Sequence, residues 1–243
     1  MSFLRNIIKS RSQSNGIFYA EIVAILGFKP KNITIYEKAF IHPSAKKRDS
    51  FGNEENYERL EFLGDSILGA VISCYLFDEA PQEDEGYLTK MRSKIVSRKH
   101  LNELGKEFNL IKLLVSKANS NHVGYNIHGN LFEALIGAIY LDRGYKFCET
   151  FIYSKIIEPH VDLKKLEGKV ISYKSLMIEW CQKMHHHFQY EVSEEDGLDG
   201  LKYFEVKFFI NNEIISKARE VSKKKAEEKA SRRGYYALQN HID

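Results

Sequence analysis

Three carboxylates fall within one short, otherwise apolar segment, at Glu58, Glu61 and Asp65. On an α-helix, their spacing of i, i+3 and i+7 places them on one narrow face. Like charges on one face repel, and burial beside apolar side chains adds a desolvation cost. A bound divalent cation offsets both effects, and oxygen ligands suit a hard ion such as Mg²⁺. The alternative is a solvated acidic edge, which the apolar continuation from Ile67 to Phe77 disfavours.

A second polar pair, Asn130 and Glu133, lies at i, i+3 spacing near the start of another apolar segment, 130–142. Two buried helices that face each other can bring both groups to one metal ion. Such an ion activates water and polarises a phosphoryl oxygen. The predicted metal ligands are Glu61, Asp65, Asn130 and Glu133, with Glu58 and Glu85 as outer partners that orient water or a further ion.

The elements that position these groups are predicted to be helices. Leu60, Leu63, Ile67 and Val71 lie on the side of the first acidic helix that faces a core. Apolar spacing predicts five helices within residues 16–160, at Phe18–Leu26, Tyr36–Ile41, Leu60–Phe77, Leu88–Leu104 and Leu131–Tyr140. The fourth of these helices carries a cluster of cations that includes Arg98. The cluster is either a solvated face or a contact with a nucleic-acid backbone.

The pattern changes after Ile171. A helix at Tyr173–Met184 is followed by strand-like alternation and then by a closing helix at Ser222–Leu238. Asn211-Asn212 is typical of a hairpin turn between two of the strands. The predicted strands are Phe188–Ser193, Tyr203–Ile210 and Glu213–Arg219. This α-β-β-β-α order predicts a small α+β domain after a mainly helical one.

The start of the closing helix carries three consecutive lysines, Lys223–Lys225, directly after the predicted N-cap Ser222. Cations at a helix N-terminus oppose the macrodipole. A phosphate bound there removes the conflict, because lysines, free amides and dipole all favour an anion. The alternative is a solubilising basic edge.

The segment ERLEFLGDSIL (58–68) resembles the signature of the ribonuclease III family, and HGNLFEALIGAIYLD (128–142) resembles its second acidic motif. Residues Asp84–Leu88 resemble the loop between them. The resemblance implies an all-helical nuclease domain that cleaves double-stranded RNA with Mg²⁺, for which Mn²⁺ can substitute, leaving 5′-phosphate and 3′-hydroxyl ends in rRNA and other RNA processing. It also implies a homodimer through the nuclease domain, where Gly64 and Gly69 are expected to allow close packing.

The resemblance assigns catalytic roles to Asp65, Glu133, Glu58 and Glu85, and metal binding to Glu61, Asp65, Asn130 and Glu133. The family usually has Asp where this chain has Asn130. An amide keeps an oxygen ligand but removes a negative charge, so weaker metal binding is expected. The departure also leaves open a second reading, a non-catalytic dsRNA-binding or ribosome-associated protein of the same fold.

Residues 173–179 and 222–231 resemble the two helices of a double-stranded-RNA-binding domain. Such domains read RNA by shape, through phosphates and minor-groove hydroxyls. The RNA contacts implied by the resemblance are Glu179, Lys202, Lys223, Lys224 and Lys225. The loop at Gly200–Tyr203 and Ile178 depart from the usual pattern, which weakens the expected minor-groove contacts. A third reading is a dsRNA-binding adaptor in which only residues 171–240 matter.

Composition sets wide bounds on the class of protein. A chain of 243 residues with 43% hydrophobic and 28% charged residues suits one or two globular domains. The expected division is a nuclease domain at 1–160, a linker at 161–170 and an RNA-binding domain at 171–243. The three cysteines form no CxxC pair and predict buried free thiols in a cytoplasmic protein. Met1–Asn15 lacks the apolar core of a secretory signal, and no partnership with a membrane is expected.

Overall fold

The computed structural model describes residues 16–117, 123–167, 170, 172–197 and 200–238. The chain forms two compact units, residues 1–167 and 168–243. The first is helical and the second combines helices with one sheet, which confirms the predicted fold class. Met1–Asn15, where no secretory signal was expected, lies outside the described residues.

The first unit is built from helices joined by short turns. Its elements are α1 (Gly16–Leu26), α2 (Ile33–Ala39), α3 (Glu58–Glu79), α4 (Glu85–Ile95), α5 (Arg98–Glu107), α6 (Ile127–Arg143), α7 (Tyr145–Ile152), α8 (Glu158–His160) and α9 (Leu163–Glu167). Short 3₁₀ turns lie at Pro43–Ala45 and Leu110–Leu113, and a π-helical turn, Tyr153–Ile157, joins α7 to α8. The core is centred on α6, whose Leu131, Phe132 and Leu135 are fully buried.

Helices α3 and α6 approach each other closely because glycines stand at their crossing. A Cβ atom at Gly64 of α3 would lie 1.7 Å from the carbonyl oxygen of Glu133. A Cβ atom at Gly137 of α6 would lie 2.2 Å from the carbonyl oxygen of Leu60. The expectation that Gly64 serves a dimer contact is therefore wrong, because this glycine packs against a helix of its own chain. Gly69 has no neighbour within 4 Å of such a Cβ atom.

The single helix predicted at Leu88–Leu104 is wrong, because the structure has two helices there, α4 and α5. The break falls at Val96-Ser97, and the Ser97 side chain caps α5 by accepting a hydrogen bond from the His100 amide. Arg98 consequently begins a new helix instead of lying in the middle of a long one. This break changes where the Arg98 side chain is placed, as described below.

Helix α9 lies within the segment predicted to be a linker, 161–170, but packs against the other helices of the first unit. Leu163 and Leu166 contact the core of that unit. The buried Lys94 of α4 donates from Nζ to the carbonyl oxygens of Leu166 (2.6 Å) and Glu167 (3.0 Å). The Tyr87 hydroxyl donates to Glu167 Oε1 at 2.7 Å. Three hydrogen bonds from two side chains of α4 thus hold the end of α9.

The second unit has the order α10 (Tyr173–Lys183), β1 (Phe188–Asp196), β2 (Lys202–Ile210), β3 (Glu213–Glu220) and α11 (Lys223–Ala237). The antiparallel sheet has the order β1-β2-β3. Asn211 and Asn212 connect β2 to β3 with φ of 50° and 69°. Positive φ at both positions is typical of a two-residue hairpin turn, so the predicted turn is confirmed.

The core of this unit lies between the sheet and its two helices. Val206, Phe208 and Ile210 alternate toward the helices, and Met177 and Ala230 meet them from α10 and α11. Glu228 of α11 also holds the start of α10, where its carboxylate accepts from Ser172 Oγ at 2.8 Å and the Tyr173 amide at 2.6 Å. The two helices are therefore joined by polar as well as apolar contacts.

Two further expectations meet the structure. Cys148 and Cys181 are buried as predicted, whereas Cys74 is exposed, so that part of the thiol prediction is wrong. By length and composition α3 is apolar enough to cross a membrane, the one such helix in the described part of the chain. Core helices meet the same criterion, and α3 buries Leu68 and Leu76 within its own unit.

Candidate active site

A polar cleft of about 620 Å³ opens where α3, α5 and α6 meet. Helix α3 contributes Glu58, Glu61 and Asp65, and α6 contributes Asn130 and Glu133. Five of the six residues predicted for the acidic site therefore line one cavity. The sixth, Glu85, is the first residue of α4, where its carboxylate accepts from the Thr89 hydroxyl. Glu85 does not belong to the described lining of the cleft, and its role at the site stays a prediction.

The crossing of α3 and α6 explains why the carboxylates meet. Gly64 lies between Glu61 and Asp65 on α3, and it touches α6 at the backbone of Glu133. The missing side chain lets the two helix backbones approach until Glu61, Asp65 and Glu133 influence one another electrostatically. Sequence spacing predicted the shared face of α3, and the glycine contact supplies the second helix.

The pKa values in the cleft record the cost of this arrangement. Burial, followed by the negative charges of Asp65 and Glu61, raises the pKa of Glu133 to about 7. Burial and the Glu58 charge likewise raise the pKa of Glu61. Both carboxyls therefore hold protons more tightly than in water, because their charged forms are desolvated and repelled. Arg98, which also lines the cleft, opposes this effect only in part, and a bound cation would oppose it further.

The donor set fits a hard divalent cation. The polar atoms of Glu61, Asp65, Asn130 and Glu133 that can bind a cation are all oxygens, which Mg²⁺ prefers. Burial and neighbouring carboxylates raise the pKa values of Glu61 and Glu133, and a bound cation would favour the ionised form of both. Within the described residues, no three His, Cys, Asp or Glu side chains are already gathered as a compact ligand set.

Among the cleft residues that were not predicted as site residues, three have side chains that bear on the structure or charge of the cleft. Tyr57, the N-cap of α3, is buried and interacts through its side chain with Asn130. Asn102 of α5 accepts from the Gly129 amide at 2.9 Å and thereby holds the first turn of α6. The third is Arg98, which lines the cleft from the first position of α5. Only the N-cap residue Ser97 signals this helix start in the sequence.

The residues expected to contact RNA lie on three elements of the second unit. Glu179 is exposed on α10. Lys202 begins β2, and its Nζ lies 3.5 Å from Glu194 Oε2. Lys223, Lys224 and Lys225 form the exposed first turn of α11, which contains no acidic residue. Ser222 accepts from the Lys225 amide as the predicted N-cap. The lysine charges at this helix start therefore lack any carboxylate in the same turn.

Comparison with known sequences gives two matching family profiles. The Ribonuclease-III-like profile matches residues 32–160, and the double-stranded RNA binding motif matches residues 173–236. Ribonuclease 3 of Zunongwangia profunda is 60% identical over 243 residues, which cover 100% of both chains. Ribonuclease 3 of Flavobacterium psychrophilum is 58% identical over 244 residues, which cover 100% of this chain and 99% of that one.

Solved structures give a related result for the first unit. The nuclease domain of ribonuclease III from Campylobacter jejuni is 30% identical, with a TM-score of 0.51 over 59% of this chain and 97% of that one. A second structure of that domain, which concerns flexibility in a region involved in dimer formation, is 28% identical with a TM-score of 0.51. It covers 58% of this chain and 96% of its own.

Proposed function

Because this chain belongs to the ribonuclease III family and carries a double-stranded RNA binding motif, we propose that it cuts double-stranded RNA by Mg²⁺-dependent hydrolysis. The chain is a ribonuclease III enzyme. Beyond this enzyme class, the proposal specifies the metal ion, the chemistry of the product ends and the RNA targets. The products are 5′-phosphate and 3′-hydroxyl ends, and the targets are rRNA and other structured RNAs. One observation carries it: Glu58, Glu61, Asp65, Asn130 and Glu133 line one cleft.

The residues of the cleft have distinct proposed roles. Glu61, Asp65, Asn130 and Glu133 would hold the cation through their side-chain oxygens. When bound, Mg²⁺ supplies Lewis-acid chemistry, because it acidifies water and neutralises charge on the phosphoryl group. Glu58 stands at the first position of α3, where Asn56 Nδ2 donates to its Oε2 at 3.2 Å. This contact fixes a carboxylate that can orient the attacking water.

The reaction replaces one P–O bond with another. The water oxygen bonds to phosphorus and gives up a proton, the bond from phosphorus to the ribose 3′ oxygen breaks, and that oxygen takes up a proton. A bound cation would lower the raised pKa of Glu133 and so favour the ionised carboxylate that holds it. Glu85 is proposed to serve the same site from outside the described lining of the cleft.

The second unit is proposed to hold the duplex through Glu179, Lys202, Lys223, Lys224 and Lys225. The first turn of α11 supports this role because three lysines stand there without a carboxylate. RNA bound there would satisfy charges that otherwise oppose the helix dipole. We further propose that the enzyme works in the cytoplasm and not at a membrane.

A homodimer is proposed through the first unit. Phe62 lies on α3 next to the carboxylates and is 77% exposed, an unusual position for a large aromatic side chain. Dimerisation would cover Phe62 and bring two clefts into one particle, so that each strand of a duplex meets one cleft. The Campylobacter jejuni nuclease domain supports this idea through its region involved in dimer formation.

The deciding experiment is incubation of perfect duplex RNA with the full chain, with and without Mg²⁺ or Mn²⁺, followed by mapping of the ends. We expect cuts only in duplex RNA and only with the divalent ion, each with a 5′-phosphate. Single-stranded RNA of the same sequence is the control. Binding without any cutting at millimolar metal would favour the non-catalytic alternative, for which Asn130 is the supporting observation.

A further inference from the structure

Arg98 is a cation placed in the acidic cleft by the break between α4 and α5. It occupies the first position of α5 and lines the cleft together with Asn102 of the same helix. Of the residues that line the cleft in the described part of the chain, Arg98 is the one with a positive charge. The cleft therefore has a basic group on α5 and carboxylates on α3 and α6.

The Arg98 guanidinium is not held in an ion pair within the part of the chain that the structure describes. Among the residues that the structure describes, Arg98 forms no ion pair, although its charge lowers the pKa of Glu61 and Glu133 from a distance. Its own helix offers no carboxylate in the first turn. The neighbouring Lys99, in contrast, pairs with Glu103 at 4.0 Å on the exposed side of α5. Arg98 thus remains available to an anion that enters the cleft.

The charge balance shows which anion needs it. Glu58, Glu61, Asp65 and Glu133 give the cleft a formal charge of −4, and Arg98 reduces it to −3. A divalent cation leaves −1, which still repels a phosphodiester. The guanidinium offers a planar pair of donors that matches two phosphate oxygens, so it can offset this repulsion and fix the phosphate at once.

We propose that Arg98 binds a backbone phosphate of the duplex within the cleft and positions it for attack. This inference rests on the proposed function and adds a substrate contact to it. The competing role is purely internal, in which Arg98 only moderates repulsion among the carboxylates. The two roles predict different losses on mutation, because a phosphate contact affects RNA and an internal one affects metal binding.

The test compares Arg98→Ala and Arg98→Lys with the wild type, and Lys99→Ala serves as the matched control. We expect Arg98→Ala to raise KM for duplex RNA about tenfold, with a smaller change in kcat and an unchanged Mg²⁺ requirement. With Mg²⁺ present and in the Glu133→Gln background, which is expected to leave RNA intact, removal of Arg98 should lower the slope of log K against log[NaCl] by about one, as for one lost phosphate contact. Arg98→Lys should keep the salt slope but restore KM only in part. Lys99→Ala should match the wild type.

Two results would overturn the inference. One is a wild-type KM and salt slope in Arg98→Ala. The other is a change confined to the Mg²⁺ concentration needed for half-maximal cleavage, which would assign Arg98 the internal role. Circular dichroism of Arg98→Ala and Arg98→Lys checks the fold, and the exposed side chain makes misfolding unexpected. If the wild type fails to cut, the proposed function fails, while the salt slope measured with Mg²⁺ present still decides the role of Arg98.

Discussion

At the residue scale, Glu133 shows how a carboxylate records its surroundings. Its pKa is raised from 4.5 to about 7, first by burial and then by Asp65 and Glu61. A raised pKa means that the folded state binds a proton that the unfolded state releases. Without divalent ions, this group therefore lowers the free energy of unfolding as the pH rises from about 4.5 to 7.

The first prediction follows from that sign. In EDTA, Glu133→Gln should remove this pH dependence and raise the free energy of unfolding at pH 8 by about 1–2 kcal/mol, a value reduced for screening in a half-buried cleft. The same variant should lose cleavage while it still binds duplex RNA. Thermal unfolding at pH 5 and pH 8 measures the first effect. A variant with wild-type cleavage would remove Glu133 from the site.

The second prediction concerns Asn130. One charge a few ångströms from a cation is worth up to several kcal/mol at an effective dielectric near 20, before desolvation. Asn130→Asp should therefore lower the Mg²⁺ concentration for half-maximal cleavage, and Asn130→Ala should raise it. A Mg²⁺ titration of the three proteins decides the matter. If all three behave alike, position 130 is not a ligand.

Residue types and spacing predicted much of the cleft but not all of it. Glu58, Glu61 and Asp65 share a helix face, which period alone predicts. Arg98 was not predicted as a site residue because apolar positions continue from Ile95 to Leu101, so the sequence pattern does not show the helix break at Ser97. Tyr57 and Asn102 were not predicted as site residues because their roles depend on contacts with α6. The apolar pattern of one helix carries no information about a neighbouring helix.

At the element scale, the crossing of α3 and α6 sets the geometry of the cleft. The third prediction is that Gly64→Ala lowers the free energy of unfolding by about 2–4 kcal/mol, because its Cβ atom would lie 1.7 Å from a backbone oxygen. The matched control is Gly69→Ala, five residues further along α3, where a Cβ atom meets nothing within 4 Å. That variant should gain up to about 1 kcal/mol from helix propensity. Urea unfolding compares the two, and equal effects would contradict this account of the crossing.

Variants at the start of α11 can test the proposed RNA binding separately from the cleavage step. The fourth prediction is that the Lys223→Ala, Lys224→Ala double variant binds duplex RNA more weakly and lowers the salt slope by about two, while cleavage at saturating RNA changes little. Lys229→Ala is the control, since Lys229 lies further along α11 in an ion pair with Glu220. An unchanged slope in the double variant would mean that this helix start faces solvent.

Local elements of the second unit were largely predictable because their signals are local. The Asn211-Asn212 turn combines two residues that tolerate positive φ, and it fixes the pairing of Ile210 with Glu213. Helix α9 was not predictable, because it has only five residues, three of them charged, and it gains stability from Lys94 and Tyr87 of a helix distant in sequence. Such a contact becomes visible only when the fold is known.

At the scale of the whole molecule, the proposed homodimer makes the fifth prediction. Phe62→Ala should shift the protein from dimer to monomer in sedimentation experiments, because it removes a large apolar side chain that is 77% exposed in one chain. Phe77→Ala is the control, since Phe77 is 70% exposed near the other end of α3. A monomeric wild type, or equal loss of dimer in both variants, would place the contact elsewhere or exclude it.

The attachment of α9 to α4 has a consequence for how often enzyme and substrate meet. Because Lys94 holds the carbonyl groups of Leu166 and Glu167, the connection to the second unit leaves the first at Glu167 and not at the end of α8. Once a connection exceeds the span between two sites, the effective concentration at which a ligand held at one site meets the other falls roughly as the −3/2 power of its length. The proposed function would thus give a buried lysine, far in sequence from the proposed RNA contacts, a part in setting the local supply of substrate.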